Sequence, residues 1–312
     1  VAQTKKKEEE AMTAAPSARS RDPKPIVKSA GGKTRLLPEL LKLVPEKFGR
    51  YYEPFVGGGA LLFELAAMER LRNGAVIGDS NAELMNLYMI VKELPTHLIR
   101  HLGDRYGEGH ATRPGGLIYA YDKEQYLHIR AWDTTSLGTV SRAARFMYLN
   151  KTCFNGLWRV NKSGRFNVPM GRYTNPTICD EEGILAASRA LQEVDLVTGD
   201  FEDILNARDP EPGDVVYFDP PYDPLESAKR ESFTRYTVDD FTWKNQIRLY
   251  VRARYLAKKG VTVIASNADT KRIRELWQGF AVTEIEAARS INSRSEKRGK
   301  ITELVFHNVG KV

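Results

Sequence analysis

Short apolar runs alternating with helical patterns constrain what this chain can fold into more than any other feature. YYEPFV (51–56) reads as a buried strand. It is followed by GGGALLFELAAMERL, where Leu62, Leu65, Ala66 and Met68 fall near helical spacing. AVIGD (75–79) is a second strand, followed by NAELMNLYMIVKEL with Leu84, Leu87, Tyr88 and Val91 on one face. This β-α-β-α rhythm predicts an α/β fold, a parallel sheet with crossover helices. The rhythm breaks over residues 95–178, which are richer in Gly, Arg, Tyr and Asn. There SRAARFMYLNK (141–151) predicts a helix and GLWRVNKSGRFNV (156–168) a hairpin turning at KSG. It resumes near 180 with DEEGILAASRALQEV as a helix, DLVTGD and DVVYFD as strands, DDFTWKNQIRLYVRARYLAKKG as a long helix and VTVIAS as a strand. TKRIRELWQ is helical, and FAVTEIEAAR and ITELVFHN are late strands flanking a basic connection. The expected organisation is one α/β domain over 26–94 and 179–312, interrupted by a module over 95–178. A leader over 1–25 is charged, rich in Pro, Ser and Ala, and without an apolar face, so disorder is expected there.

The strand ends carry the chemistry. In EPFVGGGALLFEL the glycines stand between a strand and a helix, where a missing Cβ lets a ligand approach the backbone. Asp79 ends the next strand about twenty residues on, where an acid can bond ribose hydroxyls. Gly57 and Gly59 fit the dinucleotide fingerprint, but Leu62 stands at its third glycine, so a single nucleoside-containing ligand fits better. Upstream, GKT imitates a phosphate-binding loop, yet Val27 occupies the position of that loop's first glycine. The segment can still offer backbone N–H groups and the Lys33 ammonium to an acidic ligand group.

FDPPY (218–222) ends the strand DVVYF abruptly. Asp219 and Pro220 each precede a proline and are held extended, and neither proline can donate to a sheet. The result is a rigid extension at the carboxyl end of a strand, where open α/β sheets bind ligands. It presents the Asp219 carboxylate and the Pro220 carbonyl as paired acceptors, which suits a planar –NH₂ group. Tyr222 supplies a face on which a flat ring can stack.

Between Arg142 and Arg172 there are seven Lys/Arg and no Asp or Glu, with Phe154, Trp158 and Phe166 interleaved, a pattern that suits a phosphate backbone and its bases. RSINSRSEKRGK (289–300) is a second basic stretch. The net charge of +7 agrees with a polyanionic partner. Two cysteines, Cys153 and Cys179, supply neither a disulfide framework nor a zinc cluster, which favours a reducing cytoplasm and no metal. No apolar run is long enough for a membrane span.

Taken together these residues resemble the Dam-type DNA adenine-N6 methyltransferases, the GATC-specific, alpha-class D12 family that uses S-adenosylmethionine. The resemblance runs from about Lys28 to Asn308. KSAGGK is similar to the family's first cofactor segment, with Ser29 where a tryptophan often stands. EPFVGGG is similar to its glycine loop, TGDF to its adenine-holding segment and FDPPY to its catalytic motif. SNAD (266–269) and RSIN…KRGK also resemble family segments. LNKTCFNGLWRVNKSGRFNVPMGRY, the most distinctive stretch, is similar to the target-recognition hairpin of GATC methylases. The resemblance implies a Rossmann-like S-adenosylmethionine-dependent methyltransferase sheet with helices on both faces and an inserted helical and β-hairpin target-recognition module over 95–178. It implies catalysis by Asp219, Pro220, Pro221 and Tyr222. The cofactor would be held by Gly31, Gly32, Lys33, Glu53, Pro54, Phe55, Gly57, Gly59, Asp79, Asp200, Phe201 and Asp219. In double-stranded DNA, a flipped adenine would leave a gap for Phe154 and Asn155. Lys28, Leu157, Arg159 and Pro169 would read bases, while Arg172, Tyr173, Arg294 and Arg298 would meet phosphates or orient the reader. The family leaves room for a separately acting cognate restriction endonuclease, in a bacterial nucleoid or an infected host cell. Because [DNS]-P-P-[YFW] also serves N4-cytosine and RNA amino-methyltransferases, those chemistries stay open on FDPPY alone. So does a non-catalytic DNA-binding module, though an intact Asp219 and glycine loop argue against it.

Overall fold

The structure, a computed structural model, describes residues 21–28, 33–104, 116–224, 241–288 and 300–310. Gly31, Gly32, Arg294 and Arg298, expected above to contact cofactor or DNA, lie outside the described residues. Among the described residues one seven-stranded sheet runs in the order β3-β2-β1-β4-β5-β7-β6. Its strands are β1 (Tyr51–Glu53), β2 (Ala75–Asp79), β3 (Val194–Thr198), β4 (Val215–Phe218), β5 (Thr262–Ala268), β6 (Ala281–Ala288) and β7 (Lys300–His307). The first five are parallel, while β7 enters antiparallel beside β5 and pairs antiparallel with β6.

Strand side chains alternate between two buried cores, as a period of two demands when both faces of a sheet are covered. Tyr51, Ile77, Val215, Tyr217, Ile264 and Val305 enter one core; Tyr52, Val76, Val216, Phe218, Val263, Ala265 and Phe306 enter the other. The first core takes α1 (Leu37–Leu43), α2 (Ala60–Ala67), α3 (Ala82–Glu93) and α7 (Glu181–Leu191). The second takes α8 (Phe201–Ala207), α9 (Trp243–Lys259) and α10 (Lys271–Leu276). Each large apolar side chain so buried contributes about 1.5–3 kcal/mol.

Three sequence expectations are revised. YYEPFV is a strand only over Tyr51–Glu53, because Pro54 cannot donate to a neighbour and the chain turns at once. Of residues 21–25, assigned to a disordered leader, four are exposed, and the Arg21 guanidinium donates to Asp180 at 2.6 Å. The segment 95–178 contains α4 (Pro95–Leu102), α5 (Lys123–Ala131) and α6 (Thr139–Thr152), whose apolar residues join the first sheet core and form no separate one. Leu98, Tyr126, Phe146 and Leu149 belong to the same buried cluster as Leu61 and Ile77. The segment is therefore an insertion in sequence that shares the hydrophobic interior of the sheet.

Candidate active site

The chain lays down β1, β2 and β3 outward in one direction, then returns to place β4 on the other side of β1. Strand order reverses between β1 and β4, and a crevice opens at the carboxyl ends of strands where this happens. The two segments that leave these strands are Pro54–Gly57 and Asp219–Tyr222. A cleft of about 1280 Å³ opens there, lined by Lys33, Phe55, Gly57, Asp79, Asp200, Phe201 and Asp219–Tyr222 on one side. It continues to Trp132, Arg145, Phe146, Gly156, Trp158 and Arg165 of the inserted segment. That volume exceeds the ~300–1,000 Å³ of a site for one small ligand.

FDPPY is rigid for reasons beyond its prolines. The Pro221 carbonyl accepts from Gln246 Nε2 at 2.9 Å, and Gln246 Oε1 accepts from Asn267 Nδ2 at 3.0 Å. Asn267 Oδ1 in turn accepts the Asp223 N–H at 3.2 Å. The Asp223 carboxylate, itself buried, is gripped by both arms of Arg272 and by the Thr270 hydroxyl at 3.0 Å. Sequence reasoning singled out SNAD as a segment but gave Asn267 no role, and it missed Gln246, Asp223 and Arg272.

Asp219 stands on the cleft wall with 23 % of its side chain exposed, and its Oδ1 lies 3.1 Å from Lys33 Nζ. The same ammonium is 3.2 Å from Glu303 Oε2, donates to the Tyr222 hydroxyl and stands 4.2 Å from the centre of the Tyr222 ring. The Tyr222 hydroxyl in turn donates a hydrogen bond to Glu303 at 2.9 Å. Burial pushes the Asp219 carboxyl above the usual aspartate range, and the Lys33 charge and hydrogen bond work against that rise. Burial works against the Lys33 ammonium too, but Asp219 and Glu303 outweigh it and hold its pKa above the ordinary lysine value. Burial, then the two carboxylates, keep the Tyr222 phenol protonated. Lys33, expected to offer its charge to a ligand, is paired here with Asp219 and Glu303.

Around the glycine loop the backbone is shaped for close approach. Gly59 is the N-cap of α2 at φ 67°, and a Cβ there would sit 2.9 Å from the Tyr88 hydroxyl. Asp79 Oδ2 accepts the Gly57 N–H at 3.2 Å and Oδ1 the Asn81 N–H at 2.9 Å, which leaves lone pairs for ligand hydroxyls. Burial raises its pKa, and these N–H bonds oppose the rise. Glu53 is buried, accepts from the Tyr51 hydroxyl at 2.9 Å and from the Leu62 N–H, and burial pushes its carboxyl up to about 8. Asp200 is committed differently from expectation: it caps α8 through the Glu202 N–H at 3.1 Å and receives Arg248 at 2.9 Å. Phe201, which lines the cleft, is only 1 % exposed and stacks on Phe55 with ring centres 5.7 Å apart. Acceptors for hydroxyls, a backbone without Cβ and an aromatic end wall fit a nucleoside such as that of S-adenosylmethionine.

In the inserted segment Phe154, Asn155 and Gly156 form a tight turn after α6. Phe154 is 44 % exposed and Asn155 adopts φ 54°. Asn is one of the residue types that enter the left-handed region readily, so the turn can present the exposed Phe154 ring without strain at Asn155. The turn is bound in place from below. Asn150 Oδ1 accepts the Lys28 N–H at 2.7 Å, and its Nδ2 donates to the Lys28 carbonyl at 2.8 Å and the Gly156 carbonyl at 3.1 Å. Gly156, at φ 65°, lies so close that a Cβ would meet Lys28 Cβ at 2.4 Å. The Lys28 ammonium donates to the Lys151 carbonyl at 2.9 Å and stands 3.6 Å over the Tyr173 ring. Tyr173 is a brace: its hydroxyl donates to the Cys153 carbonyl at 2.9 Å and its N–H to the Tyr121 hydroxyl at 2.9 Å. The predicted hairpin is present as paired legs meeting at isolated bridges, Val160 with Phe166 and Cys153 with Met170. Trp158 packs between Phe146 and Phe166 at ring distances of 4.1 and 4.8 Å, in place of extending a regular ladder. Arg159 is oriented by Asn167, which accepts from its Nε at 2.8 Å, while Leu157 is half-buried and Pro169 and Arg172 are exposed.

A family model described as D12 class N6 adenine-specific DNA methyltransferase matches residues 29–291. The chain is 41 % identical over 293 residues to the Type II methyltransferase M1.LlaDCHI of Lactococcus lactis subsp. cremoris, covering 92 % of this chain and 96 % of that protein. It is 40 % identical over 297 residues to the Type II methyltransferase M.MjaIII of Methanocaldococcus jannaschii, covering 91 % and 99 %. With the DNA adenine methylase of Haemophilus influenzae it shares 34 % identity over 283 residues, covering 90 % and 92 %. With its cleft at the sheet's switch point and FDPPY on the wall, the chain belongs to the D12 class of N6 adenine-specific DNA methyltransferases.

Proposed function

We propose that this chain transfers a methyl group from S-adenosylmethionine to N6 of an adenine flipped out of double-stranded DNA, within GATC. The observation that carries this reading is the single cleft joining Asp219 to the inserted segment that bears the basic, aromatic hairpin. When bound, S-adenosylmethionine supplies a methyl group on a sulfonium, an already activated leaving group. The residues do the rest. Glu53, Asp79, Gly57 and Gly59 hold the nucleoside end, with Phe55, Phe201 and Pro54 as apolar wall and Asp200 at the rim. Asp219 and the Pro220 carbonyl accept the two hydrogens of the adenine amino group. Its lone pair, otherwise delocalised into the ring, is thereby directed toward the methyl carbon. The Asp219 carboxylate then takes the proton that the methylated nitrogen sheds. Tyr222 stacks beneath the ring, and Pro221 fixes the angle of the pair. Positioning of this kind can contribute roughly 7–11 kcal/mol.

A duplex adenine cannot reach Asp219 without leaving the stack, at a cost of a few kcal/mol. Phe154 and Asn155 are placed to fill the space it vacates. Leu157 and Pro169 suit a thymine methyl, and Arg159, already oriented, suits guanine O6 and N7. Lys28 reaches the first guanine only by releasing the Lys151 carbonyl. Arg172 meets phosphate and Tyr173 orients the turn. The GATC reading rests on the run from Phe154 to Tyr173. Two relatives are named Type II methyltransferases, which supports a separate cognate endonuclease as partner. A DNA substrate supports a cytoplasmic location.

Mapping N6-methyladenine across the genome of a methylation-free host expressing the chain tests the base, the chemistry and the site together. Asp219→Ala should abolish methylation while S-adenosylmethionine still binds. Near-normal turnover in that variant would sink the mechanism, and methylcytosine as the product would sink the substrate assignment.

A further inference from the structure

Glu303 lies in the middle of β7, opposite Ala268 of β5 and Ile285 of β6. Its neighbours Leu304 and Val305 enter the two opposite cores. An acid with 21 % of its side chain exposed in such a strand needs partners, and the ones it has are Tyr222 of FDPPY and Lys33, which itself pairs with Asp219. Proton bookkeeping fixes the direction of the network. An ammonium has three protons, and Lys33 has three acceptors: Asp219 Oδ1, Glu303 Oε2 and the Tyr222 oxygen. The Tyr222 hydroxyl has one proton, which it donates to Glu303 at 2.9 Å, with Asp219 also in reach of the same hydroxyl. The two carboxylates lie at nearly equal distances from one ammonium, 3.1 and 3.2 Å. Two negative charges share one positive charge, so the cluster keeps a net negative charge.

We propose that Glu303 is a positioning residue for methyl transfer, whose charge draws Lys33 away from full pairing with Asp219 and whose bond to Tyr222 fixes the platform ring. The inference rests on the reading that Asp219 receives the amino hydrogens. Positive charge develops on the adenine amino group as the methyl group arrives. Without Glu303, Lys33 would neutralise Asp219 at the place where negative charge is needed. Preorganised charge aimed at a developing charge is the kind of interaction that accelerates the chemical step and leaves binding little changed.

The test is single-turnover methylation by the full chain, on a duplex carrying the adenine that the unmodified protein methylates. Glu303→Gln keeps the length and an acceptor for Tyr222 but removes the charge. The expected result is a rate lower by roughly 10- to 100-fold, the range below loss of a direct charge-stabilising donor, with DNA and S-adenosylmethionine affinities unchanged. The acid limb of the rate–pH profile should also move to lower pH, because the Glu303 charge helps to raise the Asp219 pKa. As a second route, Glu303→Ala should be rescued by added formate and not by formamide, since only formate restores the charge. A Gln variant at the unmodified rate overturns the proposal, as does rescue by formamide equal to that by formate. If Glu303→Gln is normal while Asp219→Ala is dead, only this inference fails. If Asp219→Ala is normal, the underlying mechanism fails first.

Discussion

Replacing Asn150 by Ala tests whether the Phe154–Gly156 turn, proposed to read bases, is placed by the protein interior. The side chain is 3 % exposed and makes three hydrogen bonds, to both backbone groups of Lys28 and to the Gly156 carbonyl. Lys28 is half-buried, so water can replace part of what is lost there, at about 0.5–1.5 kcal/mol per bond. Gly156 is buried, and its carbonyl left without a partner costs about 1–3 kcal/mol. The sum is about 2–6 kcal/mol, a large share of the roughly 5–15 kcal/mol that a domain has in hand. Urea unfolding should show that loss. Methylation of the cognate duplex should then be compared with duplexes carrying one altered base pair. The ratio of rates should fall by about tenfold or more while S-adenosylmethionine affinity holds, because Lys28 and the Phe154–Gly156 turn lose their common tether. Unchanged stability would refute the hydrogen-bond assignment. A stability loss with full discrimination would refute the link between tether and readout.

Three further outcomes are expected. Lys33→Met removes the charge that opposes the burial-driven rise of the Asp219 pKa, so the acid limb of the single-turnover profile should move to higher pH; an unmoved limb would separate Lys33 from Asp219. Glu53 has a folded-state value of about 8 against 4.5 unfolded, so the native state binds the extra proton and stability falls as pH rises between those values. The fall is roughly 5 kcal/mol at most, and it should vanish in Glu53→Gln, so parallel denaturation curves at pH 5 and pH 8.5 would contradict the assignment. Arg159→Ala should relax selection at a terminal G·C pair, whereas uniform weakening on all sequences would make Arg159 a phosphate contact.

Much of the sheet was legible because its signal is local. DVVYF and VTVIAS are continuous apolar runs, as strands covered on both faces must be, and AVIGD ends in the acid that marks the ligand end. The inserted segment was less legible. An apolar helix face such as that of α6 has the same pattern whether it packs on its own module or on the sheet, so the shared core could not be read from spacing. Trp158 looked like a hairpin residue facing nucleic acid, and tertiary packing between Phe146 and Phe166 took it instead. The site shows the same limit. Asp219 and its prolines announce themselves within five residues, whereas Lys33 and Glu303 meet across 270 positions. The only trace of Glu303 in the sequence is an acid in the otherwise apolar run ELVF.

The shared core also bears on how recognition is joined to chemistry. Asp79, on the glycine-loop side of the cleft, accepts the N–H of Asn81, which caps α3 through the Glu83 and Leu84 N–H groups. Glu83, in the first turn of α3, pairs with Arg142 near the start of α6, and the Asn86 amide donates to the Thr139 carbonyl at 2.9 Å. The other end of α6 carries Asn150, which tethers Lys28 and the recognition turn. Two helices in contact therefore connect Asp79 to the Phe154–Gly156 turn, with buried side chains along their interface. A close-packed interface of this kind shifts as a unit or not at all. Discrimination and cofactor affinity should therefore fall together when the α3–α6 contact is damaged, as in Arg142→Ala, and separately when either end is damaged alone. Measuring both quantities in Arg142→Ala, Asn150→Ala and Asp79→Asn distinguishes a rigid connection from two independent sites. Independent sites would leave cofactor affinity untouched in the Arg142 variant.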